Sequence, residues 1–149
     1  MMAIQIKTKL LNHLTKSGEK STSEKILLKS LKKLQKESNK QTKEIIKTAL
    51  IHSTPVFKVH VIENKKQRKK NRKIKKIPYF IVNNNARISL AIKFIMEVIK
   101  KKKSKPLYSK LKHEILLNSQ QKGESIEIKT ELQKQVLINK RYFNFYRWK

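Results

Sequence analysis

A chain of 149 residues, 38% of them hydrophobic, is long enough for one domain with its own core, which argues against full disorder. Its formal charge of +28, from 38 Lys and Arg against 10 acids, opposes compaction unless an anionic partner offsets it, so nucleic acid ranks first as partner and an acidic membrane surface second. The absence of Cys excludes a disulfide framework and a thiolate metal site.

In chain order, Ile6, Leu10, Leu11 and Leu14 predict a first helix, which should stop at Ser17-Gly18, where glycine takes the left-handed C-cap conformation. The segment MMAIQIKTKLLNHL lacks the continuous apolar run of a secretory signal. It is basic, acid-free and faintly amphipathic, which leaves a transit peptide open, its lack of Arg weighing against one. Ser21-x-x-Glu24 reads as a capping box for a second helix with the stripe Leu27, Leu28, Leu31 and Leu34. Lys20, Ser21 and Thr22 then sit at a helix N-terminus, where free N–H groups and the helix dipole attract phosphate; the plainer alternative is a capped turn. A third helix carries Ile45, Ile46, Ala49 and Leu50 and ends before Pro55.

The apolar period then switches from about 3.6 to 2. In VFKVHVI (56–62), Phe57, Val59 and Val61 alternate with Lys58, His60 and Ile62, and IPYFIV (77–82) is again short, β-branched and aromatic. Between them runs KKQRKKNRKIKK, in which Lys65, Lys66, Arg68, Lys69, Lys70, Arg72, Lys73, Lys75 and Lys76 meet no acid. The prediction is a two-stranded ribbon with a charged tip, which must stay in water or meet a polyanion because like charges repel and are costly to desolvate. A disordered lysine loop or a localisation signal is the alternative, and the flanking strands weigh against it.

Asn83 to Asn85 should cap a fourth helix, about Ala86 to Lys102, whose apolar residues cover most of its circumference, as in the central helix of a small bundle. Lys93 and Glu97 interrupt it, which a bilayer core would resist, and no apolar run reaches membrane-spanning length. Pro106 opens a fifth helix with Leu107, Leu111 and Ile115, which Gly123 terminates. The sixth helix carries Ile128, Leu132 and Val136 and leads into RYFNFYRWK. In that tail, aromatic rings and cations either stack on unpaired bases or anchor the last helix to the core. Anchoring is favoured for most of the rings, while Arg141, Arg147 and Trp148 are the RNA candidates. The fold class is therefore mainly α: a single-domain bundle of six helices (1–55 and 86–149) with a protruding two-stranded antiparallel β-ribbon (56–82) between helices three and four. Phe94, Ile95, Val98 and Leu111 should be buried.

This order of elements, with GEKSTSE (18–24), AL and Pro at Ala49 to Pro55, Ile77-Pro78, Arg87 with AIKFI (91–95), LKHEI (111–115), Gly123, Lys129 with Glu131, and the ending FNFYRW, resembles the small-subunit ribosomal protein seven family of bacterial and organellar type. The matches run in the family's order over nearly the whole chain. Glu19 departs from the second Lys of the family's loop motif, Lys93 and Phe94 stand where its fourth helix has Arg and Trp, and Thr130 and Lys134 stand where its last helix favours Arg and His. Few residues precede the first helix, so the family's long basic N-terminal arm is nearly gone.

The resemblance implies a structural constituent of the small ribosomal subunit, a primary binder of small-subunit rRNA that nucleates the head (3′ major) domain. It adds Arg87, Lys93 and Lys129 to the RNA-binding candidates. It also implies that the ribbon borders the mRNA and exit-site tRNA, with small-subunit proteins nine and eleven as neighbours. The count of 33 Lys against 5 Arg, with 18 Ile and 10 Asn, marks an A/T-rich gene and with the short N-terminus suggests an organelle, mitochondrial in preference to plastid. The rival reading is a DNA-binding architectural protein, whose basic β-arms would look alike, although such proteins are commonly less helical obligate dimers. No enzyme is expected: two glycines cannot form a Gly-rich phosphate loop, His113-Glu114 lacks the second His of a zinc helix, and the four histidines are scattered and read as packing residues. No cofactor, metal, membrane or small-molecule substrate is expected either.

Overall fold

The computed structural model describes residues 2–38, 41–63, 74–103 and 105–145. Among them are six α-helices: α1 Met2–Leu14, α2 Lys20–Glu37, α3 Thr42–Ser53, α4 Asn84–Lys101, α5 Leu107–Ser119 and α6 Glu124–Ile138. The antiparallel strands β1 Phe57–Glu63 and β2 Ile74–Phe80 lie between α3 and α4, and a 3-10 turn, Lys140–Phe145, follows α6. The mainly helical fold with an inserted ribbon is the one that the switch of apolar period predicts.

Helix α4 is central because so little of its surface is polar. Ala91, Ile92, Ile95, Val98 and Ile99 are at most 1% exposed, and the helix packs against α1, α3, α5 and α6. Around it gather Leu10, Leu11 and Leu14 of α1, Leu27 and Leu34 of α2, Ile45 and Leu50 of α3, and Leu111 and Ile115 of α5. Phe94, Ile95, Val98 and Leu111 are all buried, as expected. On α2 the inward stripe is Ser23, Leu27, Ser30 and Leu34 rather than one containing Leu28, which stays exposed. Serine suits those positions because each hydroxyl donates to its own helix, Ser23 Oγ to Glu19 O (3.0 Å) and Ser30 Oγ to Leu27 O (2.7 Å), so neither hydroxyl is left unmet. Because Leu111 is fully enclosed, Leu111→Ala is expected to cost about 2–5 kcal/mol, read as a fall in the urea midpoint; a loss below about 1 kcal/mol would show the site collapsing freely.

Several boundaries differ from the expectation, each for a physical reason. Helix α2 begins at Lys20, so Ser21 lies inside its first turn and forms no capping box. Glu19 is the N-cap, and Thr22 donates back to its carbonyl (2.9 Å) and its carboxylate (3.2 Å). Helix α1 ends at Leu14, ahead of the left-handed pair Ser17 and Gly18. Gly123 does not terminate α5. That helix closes on Gln121 (φ 62), with Lys122 N donating to Leu117 O (2.9 Å), while Gly123, at an ordinary φ of −80, is the N-cap of α6.

What holds Gly123 in place is a buried polar cluster joining α4, α5 and α6. Glu114, Asn118 and Ser125 are all 0% exposed. Ser125 N donates to Glu114 Oε1 (3.1 Å), and Ser125 Oγ lies within hydrogen-bond distance of Glu114 Oε1 (3.0 Å) and Asn118 Oδ1 (2.8 Å). Lys102, at the end of α4, bridges Glu114 (3.2 Å) and Glu124 (2.7 Å), which supplies the charge that a buried carboxylate needs. Burial works to lower the Lys102 ammonium, but the hydrogen bonds to Glu124 and Glu114 outweigh it and hold the group above its ordinary value.

The ribbon pairs Phe57 with Phe80, Lys58 with Tyr79, Val59 with Pro78 and so on to Glu63 with Ile74. Its second strand thus starts three residues earlier than expected and takes in Lys75 and Lys76, because Ile74 interrupts the cation run and pairing continues through it. Pro78 is tolerated because a two-stranded sheet has only edge strands. Exposure rises along the ribbon: Ile77 and Pro78 are buried and Phe57 and Val59 half-buried, whereas Val61 and Ile62 are 50% and 42% exposed. The base is therefore part of the body, and the far end leaves it. The residues from 64 to 73, which hold most of the basic stretch, lie outside the described residues.

Candidate nucleic-acid interface

Where the ribbon leaves α4, a concavity of about 370 Å³ opens, its walls including Lys58 and Tyr79 from the strands, Asn83 and Ser89, and Lys93 from α4. Among the described residues no carboxylate lines it. Lys58 and Tyr79 are directly paired, so they share one face of the ribbon, and the alternation that sets them there also puts His60 and Lys75 on it. That face, which also holds Ile62 and Ile77, is a track of Lys58, His60 and Lys75 running outward from the groove.

Helix α1 brings further positive charge. Lys9 Nζ donates to the carbonyl (3.1 Å) and side chain (2.9 Å) of Asn85, in the first turn of α4. One turn along α1, His13 titrates below its ordinary value, first because it is partly buried and then because of the ammonium groups of Lys93 and Lys9. The two ammonium groups add to what burial does, so His13, Lys9 and Lys93 together mark a locally positive region. Tyr79 at the groove wall adds a flat ring beside the charges, the combination that suits phosphate and base together.

The residues expected to bind RNA distribute unevenly. Lys93 and Lys75 fall at the groove and on its track; Lys76 is on the opposite ribbon face, beside Val61. Arg87 serves the ribbon root, donating from Nε to Ile81 O (2.5 Å) with its guanidinium 4.6 Å above the Phe80 ring. Lys129 is turned inward, its ammonium on His52 O (2.6 Å) at the C-terminal end of α3, and burial lowers its pKa. His52 itself contacts Asn118 O through Nδ1 (2.9 Å) and so joins α3 to α5, a packing histidine as expected. Lys20, Ser21 and Thr22 are exposed at the start of α2, apart from the groove, and Arg141 is exposed with its guanidinium 4.9 Å over Tyr142. Lys65, Lys66, Arg68, Lys69, Lys70, Arg72, Lys73, Arg147 and Trp148 lie outside the described residues. In the tail, Phe143 packs on Phe57 (5.7 Å), so this ring ties the turn after α6 to the ribbon base. Lys9, Lys58 and Tyr79 were not singled out by sequence. The polar face of the first strand marks Lys58, but only the register brings Tyr79 beside it.

A family model described as ribosomal protein S7p/S5e matches residues 2–140. The chain is similar to small ribosomal subunit protein uS7 of Wigglesworthia glossinidia brevipalpis, 31% identical over 97% of this chain and 87% of that one. It is likewise similar to small ribosomal subunit protein uS7 of Pseudothermotoga lettingae, 29% identical over 94% and 85%. To small ribosomal subunit protein uS7c of Euglena gracilis it is 26% identical over 92% and 83%.

Proposed function

Because the chain belongs to the ribosomal protein S7p/S5e family, a structural and non-enzymatic one, we propose that it binds small-subunit rRNA directly, as a primary binder that nucleates the head (3′ major) domain. The observation that carries this reading is the groove at the ribbon root, where Lys58 and Lys93 line one concavity with Tyr79 and no carboxylate among the described residues, beside His13, whose pKa is lowered by burial and then by Lys93 and Lys9. A-form RNA offers phosphates and 2′-hydroxyls across a shallow minor groove, and a lysine-lined surface reads it by shape, without a sequence code. The ribbon extends from this groove toward the path of the mRNA and exit-site tRNA, and small-subunit proteins nine and eleven are its neighbours.

The ribosome is an organellar one in this reading, in the mitochondrial matrix on the lysine-rich, A/T-biased composition. A plastid is the second reading, supported by the likeness to the uS7c protein of Euglena gracilis. The genetic compartment that carries the gene decides between them.

Competition measures the function itself. A head-domain rRNA fragment should displace duplex DNA of equal charge at equal salt, and rRNA affinity should fall by roughly 0.7 to 0.9 logarithmic units per phosphate contact for each tenfold rise in salt. Preference for the duplex would mark an architectural DNA-binding protein, and binding indifferent to salt would rule out a phosphate-dominated interface.

A further inference from the structure

A second basic concavity lies on other elements. Helix α2 buries Ser23, Leu27, Ser30 and Leu34, and its outer side carries Lys29, Lys32, Lys33 and Lys36, which with Tyr108 of α5 enclose about 280 Å³. The spacing of three and four residues aligns the lysines as one stripe over about 10 Å of helix. Lys33 Nζ stands 4.6 Å over the centre of the Tyr108 ring. No carboxylate lines this cradle; the nearby Glu37 is engaged by Lys112 (2.5 Å). Like charges at such spacing weaken a helix, so the stripe is unfavourable for α2 by itself, and of the lining residues only the Tyr108 ring, under Lys33, offsets any of it.

We propose that this cradle binds the sugar–phosphate backbone of a second rRNA segment, so that the protein clamps two RNA strands from two sides. The two concavities share no lining residue, one being built from β1, β2 and the α4 region and the other from α2 and α5. RNA fits better than an acidic protein surface. Protein interfaces are built round an apolar, aromatic or Arg-rich centre and deplete Lys, whereas four lysines round one ring have the composition of a phosphate-backbone contact. The proposal rests on the rRNA-binding reading above.

The test uses the full chain, the head-domain rRNA fragment, and two variants: Lys29, Lys32, Lys33 and Lys36 all →Gln, and Lys58→Gln with Lys93→Gln. Glutamine keeps helix propensity and removes the repulsion, so the four-fold variant should melt no lower than the parent. It should lose one block of backbone protections in a footprint and flatten the salt dependence by roughly 0.7 to 0.9 per lost contact, while the protections lost in the two-fold variant persist. If the four-fold variant keeps every protection and the full slope while the two-fold variant is weakened, the cradle does not bind rRNA and the groove does. The same RNA result together with lost capture of an acidic ribosomal protein would assign the cradle to protein and overturn the proposal. A wild-type chain that fails to bind the fragment would remove the rRNA reading itself.

Discussion

Gly123→Ala is expected to lower the thermal midpoint by roughly 10 to 15 °C. A Cβ built at this position falls 1.7 Å from Asn118 Oδ1, 2.7 Å from its Cγ and 3.1 Å from Glu114 Oε1, and both of those side chains are fully buried. Neither is a loose end that can swing into solvent, because Ser125 bonds the two and Lys102 fixes the carboxylate. The methyl group must therefore separate α5 from the start of α6 or break the cluster and leave a buried carboxylate short of donors. Overpacking costs about 1–3 kcal/mol, and disruption of a buried charged network about 3–5 kcal/mol. A combined loss near 4 kcal/mol, at about 3 °C per kcal/mol for a chain of this length, gives the stated shift. Gly18→Ala is the control. Gly18 has φ +79 and open space around its α-carbon, so alanine there meets only backbone strain, of about 1 kcal/mol. Paired melting curves distinguish the two, and equal midpoints would mean that the cluster is far looser than its distances indicate.

Replacing Lys65, Lys66, Arg68, Lys69, Lys70, Arg72, Lys73, Lys75 and Lys76 by Ser is expected to act on binding and spare the fold. The described members, Lys75 and Lys76, are exposed on the ribbon, away from the core cluster. Exposed lysines contribute little to stability, so the midpoint should move by only a few degrees. RNA affinity should fall steeply. Six or more phosphate contacts account for about 10³ to 10⁵ in affinity between 50 and 200 mM salt, and losing nine cations should remove much of that dependence. A salt titration of wild type against the variant reads it directly. An unaltered slope would mean that the stretch is only a solvated run and that the groove and the body of the protein carry the RNA.

These two predictions differ in how far the sequence alone reaches. The ribbon is legible because Phe57, Val59 and Val61 alternate where every other segment repeats at helical spacing, and the central helix because its apolar residues cover most of its circumference. The Glu114–Asn118–Ser125 cluster is not, because a Glu and an Asn on a helix ordinarily point to water and only the fold turns these two inward. A glycine between two helical patterns predicts a helix end, its commonest role, whereas here it clears space for Asn118. The groove is not legible in the sequence either, since Lys58 and Lys93 are far apart in the chain and line one concavity only through the ribbon's return. Arg87 and Lys129 enter through the family resemblance, and only the structure shows what each also does within the protein, donating to Ile81 O and to His52 O.

The contact between Phe57 and Phe143 bears on how the chain is made. Synthesis runs from the N-terminus at about 5–20 residues per second, so the ring that clamps the ribbon base follows its partner by several seconds. The same delay applies to the core. Helix α1 rests on α4 and α3 on α5, so the first helices emerge before the surfaces that cover their leucine and isoleucine stripes exist. Through that interval the nascent chain displays apolar stripes and a strong excess of positive charge together, a combination that attracts any nearby RNA before the fold can choose among partners. The ribbon base can close on the 3-10 turn only once Phe143 has emerged, so the last shaping contact waits on nearly the whole chain.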